Sequence, residues 1–83
     1  MLEFIETIES TQISEYSYIV LEEYADAKDR SVYNVSLEES EDGFISNTTD
    51  LFETKDGAKA LSFYQNLVKI YNYGKEANNH DIK

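Results

Sequence analysis

The chain has 83 residues, seventeen acids against seven bases, a net charge of −10, and neither cysteine nor proline. This length supports one domain that buries only about 60% of its unfolded surface, which leaves little room for a deep substrate pocket. The absence of cysteine excludes a disulfide framework or a thiolate metal site. Seven tyrosines and four phenylalanines, with an ordinary apolar fraction, argue for a packed core rather than disorder.

Met1–Glu6 has neither a basic leader nor a continuous apolar run, and the longest apolar stretch is Ile19-Val20-Leu21. The expectation is a cytoplasmic protein without a membrane span. Asn34-Val35-Ser36 and Asn47-Thr48-Thr49 fit the glycosylation pattern but read as chance matches in that compartment. Charge is lopsided. Residues 1–56 hold fifteen acids and three bases, whereas residues 57–83 hold two acids and four bases.

In chain order, Leu2, Phe4 and Ile8 alternate while Leu2, Ile5 and Ile8 step by three, and a strand is the preferred reading. Ser17 to Tyr24, rich in Tyr, Ile and Val, predicts a second strand. The polar stretch Ala25–Arg30 suits a hairpin loop. Ser31 to Glu38 alternates, with Tyr33, Val35 and Leu37 on one face and Val32, Asn34 and Ser36 on the other. Glu38–Gly43 ends in an Asp-Gly turn signal. Phe44 to Glu53 follows as a strand interrupted at Asn47–Asp50, with Phe44 and Phe52 in phase.

Ala58, Leu61, Tyr64, Leu67, Val68 and Tyr71 recur at helical steps and predict a helix over 55–73, with Thr54 as N-cap and Gly74 as the terminating residue. Residues 76–83 lack a periodic apolar face and read as a flexible tail after a single domain, 1–75. Strands followed by one helix imply an α+β fold: a small antiparallel sheet of three to four strands with the C-terminal helix packed on one face. Leu61, Leu67, Val68, Val20 and Val35 are the expected core.

No catalytic constellation emerges. His80 is the only histidine and lies in the tail, the three glycines are isolated, and no acid is singled out among many. The expectation is a protein that is not an enzyme and uses no cofactor. Glu38–Gly43 offers oxygen ligands but lacks calcium-loop spacing, so no metal is assigned. Tyr16, Tyr18 and Tyr24 on the second strand, and Tyr64, Tyr71 and Tyr73 on the helix, suit packing between sheet and helix.

The acidic sheet is the remaining feature. Carboxylates two residues apart on a strand lie about 6.6 Å apart on one face, comparable to neighbouring phosphates. Candidate partner contacts are Glu22, Glu23, Asp26, Asp29, Glu38, Glu39, Glu41 and Asp42, which crowd the central hairpin and the turn after it. The partner expected from this pattern is a basic surface of a nucleic-acid-binding enzyme, with no direct binding of DNA or RNA. No motif ties the chain to a family. Its size and acidity are similar to those of phage-encoded inhibitors that imitate DNA, such as anti-CRISPR and anti-restriction proteins, a likeness that carries no residue assignments. The alternative is a general interaction module or a homodimer, pairing through a sheet edge or the tyrosine-rich helix.

Overall fold

A computed structural model describes the backbone of residues 1–41 and 44–81, and side chains within these except 45, 46 and 73–81. Four strands, β1 (Glu3–Ser14), β2 (Ser17–Ala25), β3 (Ser31–Glu41) and β4 (Phe44–Thr54), precede one helix, α1 (Gly57–Asp81). The strands form one antiparallel sheet in the order β1-β2-β3-β4. The helix packs on one face, giving the α+β arrangement read from the sequence.

The two-residue alternation of β2 and β3 makes this possible. Odd positions Ile19, Leu21 and Val35 meet Ala60 and Tyr64 of α1 in the buried core. Ile13, Tyr33, Phe52, Phe63, Leu67 and Val68 pack around it, partly buried. Ala60 is fully buried because its small side chain lets the helix approach the sheet. Tyr64 reaches across that contact to share a hydrogen bond between its hydroxyl and Thr11 Oγ1.

The double periodicity of β1 has a physical origin. Its pairing with β2 slips between Phe4 and Glu6 and again between Thr7 and Glu9, leaving Ile5 and Ile8 as extra residues. Each bulge resets the alternation. Glu3, Glu6 and Glu9, three apart in sequence, therefore share the helix-side face, opposite Ala25, Glu23 and Leu21.

Several expectations need correction. β4 runs unbroken through Asn47–Asp50, because slips between Val35/Ser36 and Glu39/Ser40 absorb the irregularity. The helix N-cap is Asp56, not Thr54: Asp56 Oδ1 accepts from the amides of Ala58 at 3.0 Å and Lys59 at 3.2 Å. Thr54 Oγ1 instead accepts from the Asp56 amide at 3.1 Å, one step earlier. The helix does not stop at Gly74 but continues to Asp81. A glycine costs only about 1 kcal/mol in a helix, and the following Lys75, Glu76 and Ala77 are strong helix formers. Leu61 is 37% exposed, since it falls beside the stripe that faces the sheet rather than in it. Val35 and Val20 are buried as expected, and Leu67 and Val68 half-buried. Val20 is buried on the face away from the helix, and that face carries the candidate site.

Candidate functional site: an acidic trough on the open sheet face

All four strands together hold ten carboxylates: Glu3, Glu6 and Glu9 in β1, Glu22 and Glu23 in β2, Glu38, Glu39 and Glu41 in β3, Asp50 and Glu53 in β4. No strand contains a lysine, arginine or histidine. The bases lie elsewhere: Lys28 and Arg30 in the β2–β3 turn, Lys55 ahead of the helix, the rest in or after α1.

The strand register divides the carboxylates between the two faces. Glu22 and Glu38 share the open face with Asp50 and Glu53, whereas Glu23, Glu39 and Glu41 alternate onto the helix side. Glu23 accepts a hydrogen bond from Ser31 Oγ at 2.6 Å, and Glu39 one from Asn47 Nδ2 at 3.2 Å. Asp26 is committed to the turn. It accepts from the backbone amides of Lys28 and Arg30 at 2.8 and 2.9 Å and pairs with the Arg30 guanidinium at 2.9 Å, with Lys55 Nζ 3.9 Å away. The Arg30 amide, above all, holds its carboxyl below the usual range. Asp29 occupies the left-handed conformation, φ 60°, that closes the same turn. An aspartate tolerates this conformation better than most residues. Glu41 is exposed at the end of β3, and Asp42 lies outside the described residues. The eight candidates are thus not one cluster, and Glu38 and Glu39 point to opposite faces, so they cannot converge on a cation.

The open face has relief. Across it runs a row of small side chains, Ser10–Val20–Ser36–Asp50, one per strand. On one side stands Gln12–Tyr18–Glu38–Thr48, and on the other Thr7–Glu22–Asn34–Glu53. Flanking rows lie about 6.6 Å from the floor along the strands. Beyond the second wall the Phe4 and Tyr24 rings meet edge to face at 5.6 Å. The larger side chains shield the floor: Val20 is 4% exposed and Ser36 fully buried, although among the described residues the helix packs on the opposite face.

Sequence reasoning missed the polar groups gathered here. Asn34, 7% exposed, donates from Nδ2 to Asp50 Oδ1 at 3.0 Å. That bond fixes the amide and leaves Asn34 Oδ1 buried without a partner. Ser36 Oγ is likewise unpartnered. Each such group costs about 1–3 kcal/mol. Tyr24 donates its hydroxyl to Glu22 Oε1 at 3.2 Å. Burial foremost raises the Tyr24 pKa, and the negative charges of Glu22, Asp50 and Glu38 add to it. Burial likewise raises Glu38, with the Glu22 charge second. The alternation of Val32, Asn34 and Ser36 was visible in the sequence. Nothing there said that an amide and a hydroxyl would be buried between carboxylates.

Glu38 gives a test by pH. Its pKa is raised by folding, so its protonated form adds stability that is full below the ordinary carboxylate range and is lost as pH rises through the folded value. At neutral pH the ionised group, half-buried between Tyr18, Thr48 and the Glu22 charge, is a net cost. Glu38→Gln should raise the melting temperature at pH 7 by about 2–4 °C, on the order of half a kcal/mol after solvent screening. The gap should narrow as pH falls through the carboxylate range and close near pH ~3, where glutamate itself is neutral. A constant gap across that range would contradict the assignment.

Among the described residues no group of three imidazoles, thiolates or carboxylates is placed to hold a metal ion. No described helix is long and apolar enough to cross a membrane. Of the tyrosines, Tyr64 belongs to the core, Tyr71 is 43% exposed, and the Tyr73 and His80 side chains lie outside the described residues. The chain matches no family model, no curated protein and no solved structure.

Proposed function

We propose that this is a non-enzymatic acidic binding protein, a stoichiometric inhibitor whose sheet occupies a basic nucleic-acid-binding surface of a partner protein. The observation that carries the reading is charge segregation: ten carboxylates and no base across four strands. A surface that only confers solubility intersperses both signs, because mixed charge suffices and repulsion within one sheet costs stability. A single-sign sheet steers a basic partner and displaces its counterions, as a phosphate backbone does. The small size and acidity shared with DNA-imitating phage inhibitors are consistent with this role but name no target.

The second reading, an interaction module or homodimer, draws on the exposed Leu2, Phe4, Ile5 and Ile8 along the β1 edge. The three register irregularities and three glutamates of that strand hinder addition of another strand.

Immobilised protein should capture basic nucleic-acid-binding proteins from lysate at about 50 mM salt and release them at about 500 mM. Added DNA or RNA should release them too, and the protein itself should bind neither nucleic acid. Partners held equally at both salt concentrations, or indifferent to nucleic acid, would overturn the reading in favour of the interaction module.

A further inference from the structure

The open-face trough has a chemistry narrower than its charge. Its floor and walls carry four carboxylates, from Glu22, Glu38, Asp50 and, at the exposed end of one wall, Glu53, around two buried polar groups that lack partners, Asn34 Oδ1 and Ser36 Oγ. The carboxylates do not converge on a point, and no metal position arises among the described residues. A compact ion is therefore the wrong occupant. What fits is an extended cation with several donors in one plane, carried on a long apolar stem.

We propose that one arginine side chain of the partner inserts into this trough, its guanidinium lying between Glu22 and Glu38 and reaching Asp50, Asn34 and Ser36. The inference rests on the reading that the sheet docks on a basic surface. Guanidinium has five N–H donors in a fixed fork and no acceptor, matching a site made of acceptors and one adaptable hydroxyl. It also tolerates partial dehydration better than an ammonium and stacks on aromatic faces, and Tyr18 stands in one of the flanking rows. By parting the two glutamates it would open the floor to the donors that Asn34 Oδ1 and Ser36 Oγ lack, and would neutralise the repulsion between the walls. The Asn34 amide is already turned the right way, since its Nδ2 is held by Asp50.

The test is a titration of isotope-labelled protein, followed by amide NMR at low ionic strength. The probes are blocked Gly-Arg-Gly, Gly-Lys-Gly and Gly-citrulline-Gly peptides, with octa-arginine as a high-charge reference. The arginine peptide should shift the amides of Glu22, Asn34, Ser36, Glu38 and Asp50 saturably, at least about fivefold tighter than the lysine peptide, and citrulline should not bind. Glu22→Gln and Asp50→Asn, which keep side-chain size and are first checked for a native amide spectrum, should each weaken the arginine peptide about tenfold. Ser36→Ala should weaken it about two- to threefold and leave lysine unchanged. Glu6→Gln, on the other face, should change it less than about twofold. Equal binding of arginine and lysine peptides, with Glu6→Gln as harmful as Glu22→Gln, would overturn the arginine site and leave charge-driven docking standing. If neither the short peptides nor octa-arginine shifted any resonance, both readings would fall.

Discussion

Replacing Ile19 by alanine should cost about 2–5 kcal/mol, the range for removing a large aliphatic side chain from a close-packed site. A domain of 83 residues has a total stability of roughly 4–12 kcal/mol. One substitution could therefore remove half of it or more. Ile19 is fully buried and sits where the helix meets the sheet, with Leu21, Val35, Ala60 and Tyr64 as neighbours in the core. So small a core has few side chains able to shift into the void. Thermal denaturation should show a melting temperature lower by more than about 10 °C. A loss below about 1 kcal/mol would mean that the helix is not docked over Ile19.

Reversal of two open-face charges should have the largest effect on association. Glu22→Lys with Glu53→Lys changes the trough walls by four charge units while leaving the core and the Asn34–Asp50 hydrogen bond untouched. Electrostatic steering raises association rates by about 10- to 1,000-fold. The double variant should slow association with a captured partner by about tenfold to a hundredfold at low salt, and the deficit should shrink as salt is added. Lys59→Glu or Lys69→Glu on the exposed helix surface should change the rate less than about twofold. Stopped-flow mixing would measure both. A helix reversal as damaging as the sheet reversal would move the working surface away from the strands. Asp26→Lys is not a fair comparison, because it would remove the hydrogen bonds that close the β2–β3 turn.

The sheet was readable because β2 and β3 obey strict alternation, and a buried strand in such a sheet has no other way to separate Val35 from Ser36. The helix was readable from Tyr64, Leu67 and Val68, but its boundaries were not. Thr54 and Asp56 are both capping residues, and only the geometry of the entering chain selects Asp56. Gly74 resembles a stop signal, yet helix formers on its far side outweigh it. The three-residue rhythm of β1 was ambiguous because bulges mimic a helical period. The site was legible as excess charge but not as a place. Glu22 and Glu23 are adjacent in sequence and opposed in space. Asp50 read as part of an interruption, but it is the carboxylate that orients Asn34. Such convergence depends on register between strands, which one strand's sequence does not contain.

Because every strand pairs with its neighbour in the chain, in the order β1-β2-β3-β4, assembly of this molecule is a succession of local closures. Loop-closure entropy grows only slowly with length, and short connections keep it small. Folding dominated by such contacts is fast for a sheet protein. On a ribosome the strands emerge before the helix, so each hairpin can form as soon as its second strand is free. The apolar side of the sheet then waits uncovered until residues 60–68 arrive. The tie between Thr11 and Tyr64, spanning 53 positions, closes late and joins the first strand to the last element.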